Sequence, residues 1–227
     1  MQWSVLDYIP FLMEGIPWTL ALVSGGLAMG FSLGLPLSLL ETFGPGRLAR
    51  LVQAYVWFFR GTPLLVLLSL IYWGLPSLGL RLSSFLASVL ALGLRSGAYQ
   101  SQIFRSALLS VEEGQLLAAR SIGMTDLQAI LHVMVPQALR IALPSWSNEY
   151  AIMLKDSSIC FALGVMEILT RAKYVSTATD LALIPFLIAG IIYLVLTKAG
   201  VGLMELIQRR LGIPGFLGVS DCSGSRT

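Results

Sequence analysis

The apolar positions of this chain fall in long blocks instead of the short alternations of a soluble fold. No charge lies between Glu14 and Glu41, and a bilayer-crossing helix needs roughly 20 mostly apolar residues, so residues 16–40 are expected to span. Similar blocks lie at 62–80, between Arg60 and Arg81, and at 83–104, interrupted by Arg95. A fourth at 143–165 carries Glu149, Lys155 and Asp156, and a fifth at 181–203 stays uncharged until Lys198. The pattern predicts an all-α membrane protein with five transmembrane helices in a single domain, residues 1–213. Residues 214–227 contain Gly and Ser without apolar periodicity and read as a flexible C-terminal tail.

Lys and Arg set the expected orientation, because cytoplasmic loops carry the excess of them. Arg47 and Arg50 follow the first block, Arg105, Arg120 and Arg140 the third, and Arg209 and Arg210 the fifth. The opposite side has Arg81, Arg171 and Lys173. This bias puts the N-terminus outside and the C-terminus in the cytoplasm. No basic residue precedes Arg47, which argues against the positive n-region of a secretory signal. Trp18, Trp57, Trp73 and Trp146 stand near the proposed span ends and read as interfacial anchors.

Composition agrees with this class. Hydrophobic residues make up 56% and charged residues 12%, the latter about half of the roughly 25% of soluble domains. The net charge of +3 reflects a shortage of both signs, so nucleic acid is not an expected partner. Two cysteines, Cys160 and Cys222, and one histidine, His132, are too few for a disulfide framework or a zinc cluster. Cys160 reads as a small packing residue and His132 as a surface or packing histidine. The chain contains no GxxxxGKS/T loop for ATP phosphates, so any nucleotide energy must come from a partner. Gly26, Gly30 and Gly34, and Gly93 with Gly97, recur at four-residue spacing, which predicts close helix approach.

One sizeable polar connection remains, between Arg105 and Leu143. Leu116, Ala119 and Ile122 have helical spacing, and Leu127, Ile130, Leu131 and Met134 continue after a break at residues 123–126. Thr125 or Asp126 is expected to cap the second segment, with Pro136 and Pro144 marking the return to the membrane. Two short amphipathic helices joined by a glycine turn are therefore expected outside the bilayer. On spacing alone they either pack on their own bundle or dock a partner.

The motifs in and around this connection resemble a known family. Leu117-Ala118-Ala119, three residues, Gly123, nine residues, then Val133-Met134-Val135-Pro136 is similar to the EAA signature of ABC importer permeases, with the family's Glu replaced by Leu117. Phe59-Arg60-Gly61-Thr62-Pro63-Leu64-Leu65 resembles the FRGTPLL stretch of the polar amino-acid permeases (histidine, glutamate, glutamine, arginine, opine), and Leu154-Lys155-Asp156-Ser157-Ser158 their LKDTS. Ser96-Gly97-Ala98-Tyr99 followed by Ile103-Phe104-Arg105 also matches. The resemblance covers roughly residues 12–212. It implies a MetI-like permease of the type I importer kind, itself not an enzyme, in the cytoplasmic membrane of a prokaryote. Two ATPase subunits, which would hold ATP and magnesium, a second permease subunit (identical or a sister), and an extracytoplasmic amino-acid-binding protein are the implied partners; no cofactor is expected on this chain. Leu117, Ala118, Ala119, Gly123, Met124 and Pro136 become the expected coupling residues, and Arg60, Gly61, Thr62 and Pro63 the family motif. With Leu117 in place of Glu, docking would rest more on apolar contact.

Ionisable groups inside spans cost several kcal/mol unless paired or hydrated, so they are candidate functional groups. Glu149 and Asp156, seven apart, share a helix face about 10 Å apart along the axis, with Asn148 and Lys155 on the adjacent stripe. A site for an amino acid needs both signs: Arg95 would take the carboxylate bidentately, and Glu149 or Asp156 would face the ammonium. The expected substrate pathway is Arg95, Ser96, Glu149, Lys155, Asp156 and Ser157. The same charges equally suit an internal ion pair that fastens the fourth span. An ion-coupled secondary transporter using Arg95, Glu149 and Asp156 as a relay is the alternative, although no internal repeat of the kind common in such folds is found.

Overall fold

The computed structural model describes residues 8–181 and 183–211, so the C-terminal tail and Cys222 lie outside the described residues. Among these residues ten α-helices follow one another: α1 (Ile9–Met13), α2 (Gly15–Phe43), α3 (Gly46–Gly61), α4 (Leu64–Ser69), α5 (Ser84–Leu109), α6 (Glu113–Ser121), α7 (Asp126–Ala129), α8 (Val135–Asp156), α9 (Ile168–Thr179) and α10 (Leu183–Leu211). Among the described residues there is no strand. Three helical stretches are long and apolar enough to cross a membrane, Ile9–Phe43, Asp126–Leu163 and Leu183–Arg210. A fourth candidate is the pair Gly46–Gly61 and Leu64–Leu78, bent by 102°.

The block at 62–80 is therefore not one straight helix. Pro63 has no backbone N–H and disfavours helical geometry in the residue before it; Thr62 accordingly sits at φ −85° and ψ 131°, extended. The chain resumes as α4, widens into a π turn at Leu70–Gly74, and closes with a 3-10 turn at Leu75–Leu78. The fourth block differs in the other direction. Pro136 and Pro144 do not break the chain: a π turn at Ile130–Met134 leads directly into α8, with Pro136 in its first turn and Pro144 inside it. The second short helix of the polar connection is thus the start of one long helical stretch. The sequence pattern also missed α9, whose apolar positions are too few to stand out.

α5 is not among the apolar candidates, although its position matches the third block. Its polarity is tolerated because its neighbours are protein: Ala87, Ser88, Ala91, Ser96, Gly97, Ala98, Gln100, Ser101 and Phe104 are all buried. The glycine stripe of α2 makes this possible. A Cβ on Gly30 would fall 2.5 Å from Gln100 Nε2 and 2.7 Å from Ser96 Oγ, and one on Gly34 2.8 Å from Gln100 Cβ. Gly93 and Gly97 return the favour against Met29 and Leu33. Lipid supplies no hydrophobic drive for helix association, so close small-residue packing carries it. Gly30→Val is expected to destabilise by about 3 kcal/mol or more, the upper range for overpacking. Loss of the monodisperse peak on size exclusion in detergent checks it, with Gly46→Ala, which meets nothing within 4 Å, as the control.

Candidate functional site

α5 presents two polar rows toward α8. Ser96 Oγ donates to Glu149 Oε1 at 2.7 Å, and the Arg95 guanidinium pairs with the Asp156 carboxylate. One helical turn on, Gln100 Nε2 donates to Ser96 Oγ at 3.0 Å and to the Leu27 carbonyl at 3.1 Å. Trp146 Nε1 in turn donates to Gln100 Oε1 at 2.8 Å. Glu149 is 4% exposed and Gln100 fully buried. The buried Glu149 carboxyl is tolerated because Ser96 donates to it, and Ser96 is itself held by Gln100.

The arrangement brings together four of the six expected pathway residues: Arg95, Ser96, Glu149 and Asp156. Lys155 and Asn148 are exposed and face away. Ser157 is buried but donates to its own Leu154 carbonyl at 2.7 Å. Asp156 is paired across helices with Arg95, not with the neighbouring Lys155, so the ion pair does join the fourth helical stretch to the third. Arg95 Nε is buried and has no partner, which leaves a donor at the pair.

Sequence reasoning missed Gln100 and Trp146 because it searched spans for charge. Ser96 and Gln100 at i and i+4, beside Arg95, carry the signal that was available. Trp146 is not an interfacial anchor: an indole N–H taken into the interior needs an acceptor, and Gln100 supplies it. Trp18, Trp57 and Trp73 are exposed, as anchors should be. Cys160 is fully buried and His132 exposed. Gly30-Phe31-Ser32-Leu33-Gly34 has the spacing of a nucleophile elbow, yet Ser32 lies in mid-helix and donates to the Ala28 carbonyl at 2.9 Å.

Two further nodes hold the bundle. At one end the buried Glu167 carboxylate caps α9 through Leu169 N and Thr170 N, at 2.9 and 2.6 Å, and accepts from Tyr193 Oη. Arg171 beside it reaches Glu14 Oε2 at 2.7 Å and the Phe11 carbonyl at 3.0 Å. At the other end Glu41 accepts from Gln102 at 2.7 Å, with Arg105 3.5 Å away.

The expected coupling residues lie at the turn between α6 and α7. Gly123 has φ +86°, and Met124 N bonds to the Ala119 carbonyl at 3.1 Å while Gly123 N bonds to that of Arg120 at 3.0 Å. This is the paired closure that a left-handed residue after a helix provides. Thr125 then caps α7, and Gln128 returns the bond to the Thr125 N–H, a reciprocal cap of known type. The turn is thereby rigid and still stands free: Leu117, Ile122 and Leu127 are 60%, 76% and 66% exposed. Ala118 and Gly123 are exposed beside them, while Ala119 is buried against the bundle. Pro136, thirteen residues beyond Gly123, is exposed on the continuing helix.

An ion pair and a buried carboxyl between the helices of an apolar bundle are the groups that mark solute or ion pathways in membrane proteins. Residues 11–213 match the family of binding-protein-dependent transport system inner membrane components, and the chain belongs to that family. It is 36% identical over 218 residues to the probable amino-acid permease protein YxeN of Bacillus subtilis (strain 168), covering 94% of this chain and 97% of that one. It is 32% identical over 215 residues to the glutamine transport system permease protein GlnP of Escherichia coli (strain K12), covering 93% and 98%. The crystal structure of an amino acid ABC transporter with histidines superposes with a TM-score of 0.83 at 35% identity, over 92% of this chain and all of that one. The inward-facing MetNI methionine ABC transporter shares the fold, with a TM-score of 0.80 at 21% identity over 91% and 99%.

Proposed function

We propose that this chain is the permease subunit of an ATP-driven importer of polar amino acids in the cytoplasmic membrane of a prokaryote. α2, the bent pair α3–α4, α5, the α7–α8 stretch and α10 form five crossings, with the N-terminus outside and the C-terminus in the cytoplasm. The chain breaks no covalent bond. ATP and magnesium are held by two partner ATPase subunits, which dock on the turn around Gly123. A second permease subunit completes the pore, and an amino-acid-binding protein delivers solute from outside. Closure of the ATPase pair moves the two α6–α7 turns together and rocks the permease halves between outward- and inward-facing states.

The network of Glu149, Ser96, Arg95 and Asp156 supports the amino-acid reading most directly. It sets two carboxyl groups on α8 against a guanidinium with a spare donor on α5, and a zwitterion needs both signs. Reconstitution with the ATPase and binding-protein partners tests it. One or a few polar amino acids are expected to stimulate ATP hydrolysis, and an ion gradient without ATP is expected to drive no uptake. Solute uptake by the chain alone under a proton or sodium gradient would overturn the reading. Within the active complex, Arg95→Ala is expected to weaken apparent substrate affinity at least tenfold, read from the concentration dependence of uptake.

A further inference from the structure

Beside Arg95 lies a second polar feature that the Glu149 network does not use. A cleft of about 510 Å³ opens between α3, α5 and the end of α2, and its polar lining is Glu41, Gln53, Arg60, Tyr99 and Gln102. Arg60 Cζ stands 4.8 Å from the centre of the Tyr99 ring, and Arg95 Cζ 5.2 Å from the same centre. Arg95, Tyr99 and Gln102 follow one another at i, i+4 and i+7, so they form one face of α5 about 10 Å long. That face leads from the Arg95–Asp156 pair down to the Glu41 node.

The charges in the cleft are unequal. Glu41 has a side chain only 4% exposed, and it is occupied by Gln102 at 2.7 Å and Gln53 at 3.4 Å, with Arg105 3.5 Å away. Arg60 is exposed, and among the described residues no carboxylate lies within ion-pair distance of it. The cleft therefore holds one uncommitted cation and no uncommitted anion. Its wall includes Gly61, the exposed last residue of α3 at the helix break before Pro63. Irregular backbone at membrane depth is tolerated only inside protein or along a water-filled cavity.

Resting on the amino-acid importer reading, we propose that this cleft is a second, cytoplasm-side solute site in which Arg60 receives the carboxylate of the departing amino acid. A guanidinium held over an aromatic ring offers two parallel donors to a carboxylate. The cleft is open and its cation solvated, so binding there is weak. Weak successive sites are what passage requires, since a solute must leave each as readily as it enters.

The test uses the full transporter in proteoliposomes, with Cys222→Ser removing the one cysteine outside the described bundle and Cys160 left in its fully buried position. Gly61→Cys places a thiol in the cleft, where an added Cβ meets nothing within 4 Å. If that variant fails to assemble, Trp57→Cys, at a residue 79% exposed on the same cleft, replaces it. A charged methanethiosulfonate added on the ATPase side is expected to label the thiol. The transported amino acid, identified from a radiolabelled panel with the wild type, is expected to slow labelling at least fivefold, whereas its decarboxylated amine does not. Protection is expected to vanish with Arg60→Gln and to return in part with Arg60→Lys. Absence of labelling, equal protection by the amine, protection that survives Arg60→Gln, or labelling that responds to anionic lipid but not to amino acid would overturn the proposal. A wild type that takes up no amino acid instead overturns the importer reading itself.

Discussion

Gly123→Asp is expected to leave the subunit inserted, yet to cut ATP-driven uptake at least tenfold and to free ATP hydrolysis from its dependence on loaded binding protein. Two effects act at this position, and their sizes separate them. The φ of +86° costs an L-residue roughly 1–2 kcal/mol, and aspartate is among the residues that bear it best. The larger effect is charge. Leu117, Ile122 and Leu127 surround the turn as an exposed apolar patch, and a carboxylate trapped against a partner there costs several kcal/mol. Gly123→Ala, which has the backbone strain without the charge, is expected to keep most of the uptake. Uptake and ATP hydrolysis measured side by side in proteoliposomes check both variants. Normal transport by the aspartate variant would remove this turn as the coupling element. The Arg120–Asp126 pair across the same turn, at 2.7 Å, is solvent-exposed and contributes less than about 1 kcal/mol, so Asp126→Asn is the mild comparison.

Asp156→Leu is expected to destabilise the subunit by about 3 kcal/mol, at the low end of the range for stranding one member of a buried pair. The low end applies because the side chains of Arg95 and Asp156 are 22% and 23% exposed. In a chain of this length that amounts to a fall of the thermal midpoint on the order of 10 °C. Arg95→Leu with Asp156→Leu is expected to recover most of it, because replacing both charges leaves none uncompensated. Uptake by the double variant is expected to stay below a tenth of the wild type. Thermal size-exclusion profiles and uptake, measured on the wild type and both variants, separate fastening from transport. A double variant that transports normally would reduce the pair to a structural clasp.

Several parts of this architecture were legible along the chain. The uncharged run from Glu14 to Glu41 became α2, and the run before Lys198 became α10, because in a bilayer the length of an apolar stretch is itself the structural signal. Gly123 and Thr125 marked the turn and the cap, since each acts on backbone within a few residues. The spacing of Glu149 and Asp156 put both on one face, and both do meet α5. Less was legible where a helix is polar and sheltered: α5 fails an apolarity criterion because its surroundings are α2, α3 and α8, which sequence spacing does not record. The wide turn that carries the chain past Pro136, and the near-perpendicular break before Pro63, also depend on neighbours.

By itself, then, the order of residues determined that the chain lives in a membrane, where its apolar helices run, and which few positions must hold charge or a left-handed turn. Tertiary structure alone decided which partner each charge has: Arg95 to Asp156 and not Lys155 to Asp156, Glu149 to Ser96, and Arg60 to a ring instead of a carboxylate. Local rules act through a turn or two of backbone, while an ion's partner is whatever side chain a different helix brings within a few ångströms.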